Sequence, residues 1–284
     1  MSIASEITRI KNNIANAYAK AEEKGATIPE VKNSENLASC IESVSGGGSD
    51  FSGIPSYQVV DGVITKNSIE NVIHNDVVTI NANVLESYFK NCSVTGSISF
   101  ANLVNVLSKG LYECFYNCSG ITDVNLKSLE TVGSSGLGYC FYRNTQLTTV
   151  DLSSLTTVES SGLTYAFHTC DLRELNLKSL TTIGSNGLSY AFNANKNLIT
   201  INFDSLTTVG SQGLMYTFTN CTLLTSASFP KLTSVETNSL NGVFNNCTGI
   251  TEIHFRADMQ STIEGLTGYS SKFGARNSTI YFDL

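Results

Sequence analysis

The side chains in this chain that could carry chemistry are few, and they are evenly spaced rather than clustered. Zinc would need about four Cys or His ligands brought together, yet no C-x-x-C pair exists and His74, His168 and His254 each stand alone. Acyl or phosphoryl transfer would need a nucleophile elbow, a phosphate loop or a G-x-G-x-x-G turn between strand and helix, and none is present. Asp151 and Glu174 could form an acid/base pair, but scattered acids on a polar face are ordinarily solvated surface. The reading is therefore a protein with no catalytic residues, no cofactor and no metal.

What does recur is tyrosine. Tyr139, Tyr165, Tyr190 and Tyr216 hold one place in four successive copies of a repeat, each two residues before a phenylalanine, and Tyr116, Tyr142 and His168 each directly follow such a phenylalanine. A row of exposed tyrosines offers rigid apolar area and a hydroxyl at low entropy cost, which suits a glycan or a protein partner. The same row could instead pack on itself from copy to copy and serve only the stack. A rival surface is the polar face of the strands, with Asn125, Asp151, Glu174, Asn176 and Asn202, because concave solenoid faces are frequent contact areas.

The phenylalanines that set this register, Phe89, Phe115, Phe141, Phe167, Phe192, Phe218 and Phe244, lie 26 residues apart except for one step of 25. Around them one pattern is rewritten, as LTTVDLSSLTTVESSGLTYAFHTC at residues 147–170 and LITINFDSLTTVGSQGLMYTFTNC at residues 198–221. A fixed period whose single copy cannot bury its own apolar face is the mark of a solenoid. Val150 with Leu152, Leu175 with Leu177, and Ile201 with Phe203 alternate with polar residues, which predicts short strands that stack into a parallel sheet. A second apolar pair follows, such as Leu155 and Val158. Ser134, Ser160, Ser185 and Ser211 then stand two residues before Gly136, Gly162, Gly187 and Gly213, the placement of a hydroxyl N-cap and of a residue free of Cβ strain. Leu137, Leu163, Leu188 and Leu214 precede the phenylalanine by four. That spacing predicts one short helical turn per coil with Leu and Phe inward and the tyrosine about 200 degrees away, hence outward.

Cys92, Cys118, Cys170, Cys221 and Cys247 lie three residues after the periodic Phe, where Asn144 and Asn195 stand in the other two copies. A position that accepts either residue wants a small, buried group that hydrogen-bonds the turn backbone. This predicts reduced structural thiols rather than disulfides. It also makes the sequon-like Asn91-Cys92-Ser93 and its copies a by-product of the repeat.

The pattern G-L-x-Y-[AC]-F-x-x-[CN]-x-x-L-x-x-[VIL]-x-[LF], spread over residues 77–255, resembles the BspA-type leucine-rich repeat, a bacterial surface repeat similar to those of adhesins and some phage fibres. The resemblance implies a curved right-handed solenoid of strand plus short turn, with a role in binding rather than catalysis. The repeat here is longer than is usual in the family and keeps the strand-ending proline only at Pro230.

Residues 1–45 stand outside the repeat. Ile3, Ile7, Ile10 and Ile14 step by four and three, a seam of about two and a half heptads in which Ile at both core positions favours three strands. A second short helix is expected over residues 34–44, with Asn33 as its N-cap. The segment is expected to anchor or trimerise the protein, or else to fold on itself as a helical hairpin. It resembles the N-termini of phage and prophage tail-fibre proteins of gut Firmicutes. Residues 46–50 read as a Gly/Ser linker and residues 51–76 as a cap with a hairpin turning at Asp61-Gly62. Residues 77–255 read as the solenoid, and residues 256–284 as a C-terminal cap ending in a strand.

Charge and hydropathy narrow the partner. A net charge of -7 and a pI near 5.0 leave no basic stripe for nucleic acid. No run approaches the roughly 18 apolar residues that insert into a membrane, and MSIASEITRIKNNIANAY lacks the apolar stretch of a signal peptide. The expected fold is a β-rich leucine-rich-repeat solenoid of about seven coils, each a short strand plus a short helical turn, with a small N-terminal α-helical module. The expected function is a non-catalytic recognition protein that contacts a bacterial surface glycan or protein. It would be a phage or prophage tail-associated receptor-binding protein in the virion, or alternatively a BspA-like adhesin on the bacterial cell exterior that binds host or glycan. Changing Ile7, Ile10 and Ile14 to Asp is predicted to reduce any oligomer to monomer in light scattering while the solenoid stays folded. An unaltered oligomer would place the interface on the solenoid instead.

Overall fold

The computed structural model of the chain describes residues 59–60, 63–64, 69–75 and 77–284. The expected helical module of residues 1–45, with Ile3, Ile7, Ile10 and Ile14, and the linker of residues 46–50 lie outside them. Val59–Val60 (β1) and Val63–Ile64 (β2) pair antiparallel on either side of Asp61-Gly62.

From Ile69 onward the chain winds a parallel β-solenoid of about eight turns. Each coil up to Val235 contributes one strand to each of two series, and the last two strands of the chain extend only the first. The first series comprises β3 (Ile69–Ile73), β5 (Val94–Ser99), β7 (Gly120–Asn125), β9 (Thr149–Asp151), β11 (Glu174–Asn176), β13 (Thr200–Asn202), β15 (Ser226–Phe229), β17 (Glu252–Phe255) and β18 (Thr279–Phe282). The second, of two residues each, comprises β4 (Thr79–Ile80), β6 (Asn105–Val106), β8 (Thr131–Val132), β10 (Thr157–Val158), β12 (Thr182–Ile183), β14 (Thr208–Val209) and β16 (Ser234–Val235), which form one uninterrupted seven-stranded sheet. Every pairing in both series is parallel and, apart from one-residue register shifts at Glu70/Val72 and Gly96/Ser97, places equivalent repeat positions side by side, as Val132, Val158 and Ile183 show.

Equivalent residues therefore stack in columns, and the apolar columns are the core. The seven periodic phenylalanines are at most 1% exposed. Their rings form one pile with centroids 5.1 to 6.2 Å apart and planes within 14°. A second pile, Phe203, Phe229, Phe255 and Phe282, stands on the strand side. Each buried ring adds roughly 1.5–3 kcal/mol of apolar burial, and each stacked pair about 0.5–1.5 kcal/mol beyond it.

The segment expected to be a helical turn is not helical. Gly110, Tyr112, Cys114, Tyr116 and Cys118 donate their N–H to the carbonyl three residues back. Lys109, Leu111, Glu113, Phe115 and Asn117, alternating with them, donate to Ser134, Gly136, Gly138, Cys140 and Tyr142 of the next coil. An α-helix would spend every amide within its own coil; here every second amide ties two coils together. The geometry requires a left-handed residue every fourth position, for example Ser135, Tyr139 and Arg143 at φ 54, 54 and 60. A period of four is close to 3.6, so Leu and Phe four apart share a side in either conformation.

The serines and glycines before this segment also differ from expectation. The hydroxyls of Ser160 and Ser211 donate to the carbonyls of Ser185 and Thr237 in the next coil, at 3.2 and 3.1 Å, rather than capping a helix. Gly213 is needed for space and not for a positive φ. A Cβ there would lie 2.7 Å from Val209 Cγ1 and 3.0 Å from the Gly210 carbonyl oxygen.

The column shared by Cys and Asn makes one recurring bond. Cys118, Cys170, Cys221 and Cys247 each donate Sγ–H to the carbonyl of the phenylalanine in the preceding coil at 2.9 to 3.4 Å, and Asn144 and Asn195 do the same through Nδ2 at 2.9 Å. All seven described cysteines are free thiols. Burial pushes Cys118 and Cys247 up to about 12, so they are poor nucleophiles.

The 25-residue step has a visible repair. Other coils close the corner after this column with a three-residue bond, Leu147 N–H to Asn144 O and Leu198 N–H to Asn195 O. Between Cys170 and Leu172 one residue is missing, and Leu172 N–H is accepted instead by Asn195 Oδ1 of the next coil at 3.0 Å. The first strand series is interrupted here, between β9 and β11, and again between β13 and β15. Asn195 is thus fully used, whereas the buried Asn144 Oδ1 has no partner among the described residues.

At the C-terminal end the repeat is replaced. A 3-10 turn at Ala257–Met259 leads into helix α1 (Gln260–Glu264) and a second 3-10 segment at Tyr269–Gly274. The helix was not expected from the sequence. The ring due near Ser270 arrives late as Phe273, fully buried against Phe255, and its carbonyl accepts the N–H of Phe244. The expected final strand is β18, paired in parallel with β17.

Two predictions follow from this packing. Phe167→Ala should cost about 3–5 kcal/mol by chemical denaturation, because neighbouring coils cannot collapse into the gap; a loss below about 1 kcal/mol would contradict the buried pile. Asn195→Cys keeps the bond to the Phe167 carbonyl but orphans Leu172 N–H, a loss of about 1–3 kcal/mol. The same change at Asn144 removes an unpaired buried oxygen and should be neutral or stabilising. Equal losses at both sites would refute the repair.

Candidate functional site

The four expected tyrosines form one continuous pile on the turn face. Tyr139 and Tyr165 stack with ring centroids 4.8 Å apart, Tyr165 and Tyr190 at 4.6 Å, and Tyr190 and Tyr216 at 5.0 Å, with planes within 23°. All four are half-buried. Their hydroxyls have no hydrogen-bond partner among the described residues and are not sealed from solvent. Tyr112 meets one end of the pile edge-on at 6.0 Å from Tyr139. At the other end the register position holds Gly242, where a Cβ would sit 2.7 Å from Tyr216 Cδ1. The ring faces are therefore covered along the pile, and what the surface offers is edges and hydroxyls.

Backbone strain marks the same column. The residue two before each phenylalanine is left-handed in every coil: Ser87, Glu113, Tyr139, Tyr165, Tyr190, Tyr216 and Gly242, at φ 53 to 60. For a residue bearing a Cβ this conformation costs roughly 1–2 kcal/mol, and Gly and Asn bear it best. The other two left-handed columns use Asn repeatedly, at 83, 186 and 238 beside Lys109, Ser135, Ser161 and Gln212 in one, and at 91, 117, 220 and 246 beside Arg143, Thr169 and Ala194 in the other. The tyrosine column does not.

A second aromatic lane runs beside the first. Tyr142 is stacked between Tyr116 and His168 at 4.9 Å on each side, and Tyr139, Tyr142, Tyr165 and His168 approach one another across the lanes at 5.5 to 6.4 Å. Burial and the neighbouring Tyr190 and Tyr139 phenols push Tyr165 up to about 12; burial first, then a neighbouring phenol, also raises Tyr139 and Tyr190. The phenols are protonated donors at neutral pH.

The polar strand face is in large part occupied by its own turns. Oδ1 of Asn125, Asp151, Asn176 and Asn202 accepts the N–H two residues on, at 3.2, 3.0, 3.1 and 3.0 Å, so this column shapes the corner that follows each strand. Glu174 lies in the neighbouring column, opposite Thr200, and is exposed. Asp151 and Glu174 thus stand in different columns, and Asp151 is already engaged by Ser153. Among the described residues no three His, Cys, Asp or Glu gather as a metal-holding group, and no helix is long and apolar enough to cross a membrane.

Sequence reasoning found the columns but not the strain. The signal was present in the asparagines at four-residue spacing on either side of the tyrosine register, which is the composition left-handed backbone selects.

No curated protein sequence matched the chain. Among solved structures it is similar to a leucine-rich repeat protein from Bacteroides ovatus (20% identity, TM-score 0.39, 66% of this chain and 57% of that one). It is similar also to the leucine-rich repeat protein of T. pallidum (17% identity, TM-score 0.33, 64% of each chain). A third is a leucine-rich cell surface protein from Faecalibacterium prausnitzii (14% identity, TM-score 0.24, 75% of this chain and 78% of that one). The chain spans less than two thirds of the length of the first two. Residues 64–188 and 161–266 match the BspA type leucine rich repeat region, in six copies, and with that match over columns of stacked Leu, Phe and Cys or Asn the chain belongs to the BspA-type leucine-rich repeat family.

Proposed function

We propose that the chain is a non-catalytic recognition protein displayed on a bacterial cell exterior, an adhesin-like solenoid that contacts a surface protein or glycan through its tyrosine face. One observation carries the reading: four successive coils place tyrosine where the backbone is left-handed and where Asn or Gly would relieve strain. Stacking returns part of that cost, but a stack of any apolar residue in an unstrained column would do so without it. A side chain kept against local stability, half-exposed and rigid, is the pattern of a contact surface. The family match supports a repeat scaffold of this kind.

The tail-fibre variant of this reading places attachment and trimerisation on Ile3, Ile7, Ile10 and Ile14. It rests on residues outside those described and on no comparison, so the adhesin is preferred.

Changing Tyr139, Tyr165, Tyr190 and Tyr216 together to Asn keeps a residue that accepts the left-handed backbone. Binding of the labelled protein to a panel of bacterial and host cells, read by flow cytometry, should fall at least about ten-fold, roughly 1.4 kcal/mol, with an unchanged circular dichroism spectrum. Full binding by that variant, with loss on Thr149→Lys plus Glu174→Lys, would move the site to the strand face.

A further inference from the structure

The two aromatic lanes overlap in only two coils, and there a cation stands beside both lanes. In the left-handed column two after the phenylalanine, Asn stands at positions 91, 117, 220 and 246 and the uncharged Thr169 and Ala194 at two more, whereas Arg143, at φ 60, is its one charged residue. In the column one after it, later coils carry Asn193, Thr219 and Asn245, but here stand Tyr142 and His168. The Arg143 guanidinium lies over the Tyr142 ring, 5.4 Å from its centroid, and the residue is exposed. Lys90 and Lys109 also lie over rings, Tyr116 and Tyr112, yet each has a carboxylate, Glu113 at 2.6 Å and Glu86 at 3.9 Å. Arg143 has none within 4.0 Å among the described residues. Beside it, His168 Nδ1 meets Thr169 Oγ1 at 2.7 Å. Burial, and then the Arg143 charge, hold this imidazole below its usual pKa.

We propose, resting on the tyrosine-face reading above, that Arg143, Tyr142 and His168 form an anion site that receives an Asp or Glu carboxylate from an acidic peptide segment of a partner protein. The fork of a guanidinium matches a carboxylate bidentately, and stacking on Tyr142 restricts its rotamers before the partner arrives. A peptide fits better than an acidic glycan. A sugar ring is held by its apolar face on an open aromatic face, and the faces here are closed by neighbours 4.6 to 5.0 Å away. The phenol hydroxyls of Tyr139 and Tyr165 alongside would hydrogen-bond peptide carbonyls. Cation, donors and closed rings together select a chain with carboxylates and amides.

The test uses the full chain with labelled histidine, titrated by NMR with hexa-aspartate, hexa-asparagine, polysialic acid and sodium sulfate at matched ionic strength. The groups that face the His168 ring are Tyr142, Tyr165, Thr169 and Arg143, so an anion bound at Arg143 reports there directly. Hexa-aspartate should raise the His168 titration midpoint by about half a unit to one unit, a three- to ten-fold gain in proton affinity. Hexa-asparagine should not, and Arg143→Gln, with the fold intact, should abolish the shift. No shift with hexa-aspartate, or one that survives Arg143→Gln, overturns the site. An equal shift with polysialic acid or sulfate overturns the peptide assignment. Normal cell binding by the four-tyrosine variant would sink the face reading alone, since the His168 shift is measured without a cell.

Discussion

The amide ladder between coils is the constraint from which everything else in this molecule follows. On all three sides of the coil, alternate N–H groups reach the next coil, so a residue has one structural neighbour above it and one below, both from the same repeat position. A column is consequently the unit of selection. An apolar column piles up into the core, a hydroxyl column bonds carbonyls along its length, as Thr156, Thr181, Thr207 and Thr233 do, and an Asn or Cys column ties the turn to the phenylalanine behind it. Because each coil can bury its face only on its neighbours, stability is a sum of such interfaces and not of any single coil.

The same ladder explains why length is so closely held. A missing residue cannot be absorbed by sliding, since a slip of one position would turn every side chain to the wrong face. At the 25-residue coil the loss is localised to a corner, the strand pairing lapses there, and a side chain from the adjacent coil supplies the acceptor the backbone lost. The second strand series passes the defect unbroken.

Most of this order was legible in the sequence because columns are a matter of spacing. The phenylalanine ruler, the alternation around Val150 and Leu152, and the Cys and Asn exchange each named a buried column, and each column is where it was expected. Conformation was not legible in the same way. Leu and Phe four apart satisfy an α-helix and a chain of four-residue turns equally well, and only the asparagines four residues to either side of the tyrosine register, such as Asn83 and Asn91 or Asn238 and Asn246, separate the two. The C-terminal cap departs from the repeat, so no column could predict α1 or the late arrival of Phe273. The polar strand face looked available because Asn125, Asp151, Asn176 and Asn202 are outward; that their oxygens close the next turn depends on the backbone path.

In a molecule governed by columns, function is to be sought where a column contradicts the backbone it stands on. Left-handed positions recur in three columns, and two of them carry Asn, which the conformation tolerates, in several coils. The third carries tyrosine four times running and ends where Gly242 lets the last ring lie down on the chain. Stacking fixes these rings before any partner arrives, so little side-chain entropy remains to be lost on binding. It also closes their faces. The surface that results presents edges, hydroxyls and the adjacent charge of Arg143, and under the proposed reading its selectivity would lie in the one stretch where the second lane, Tyr142 and His168, runs beside the first.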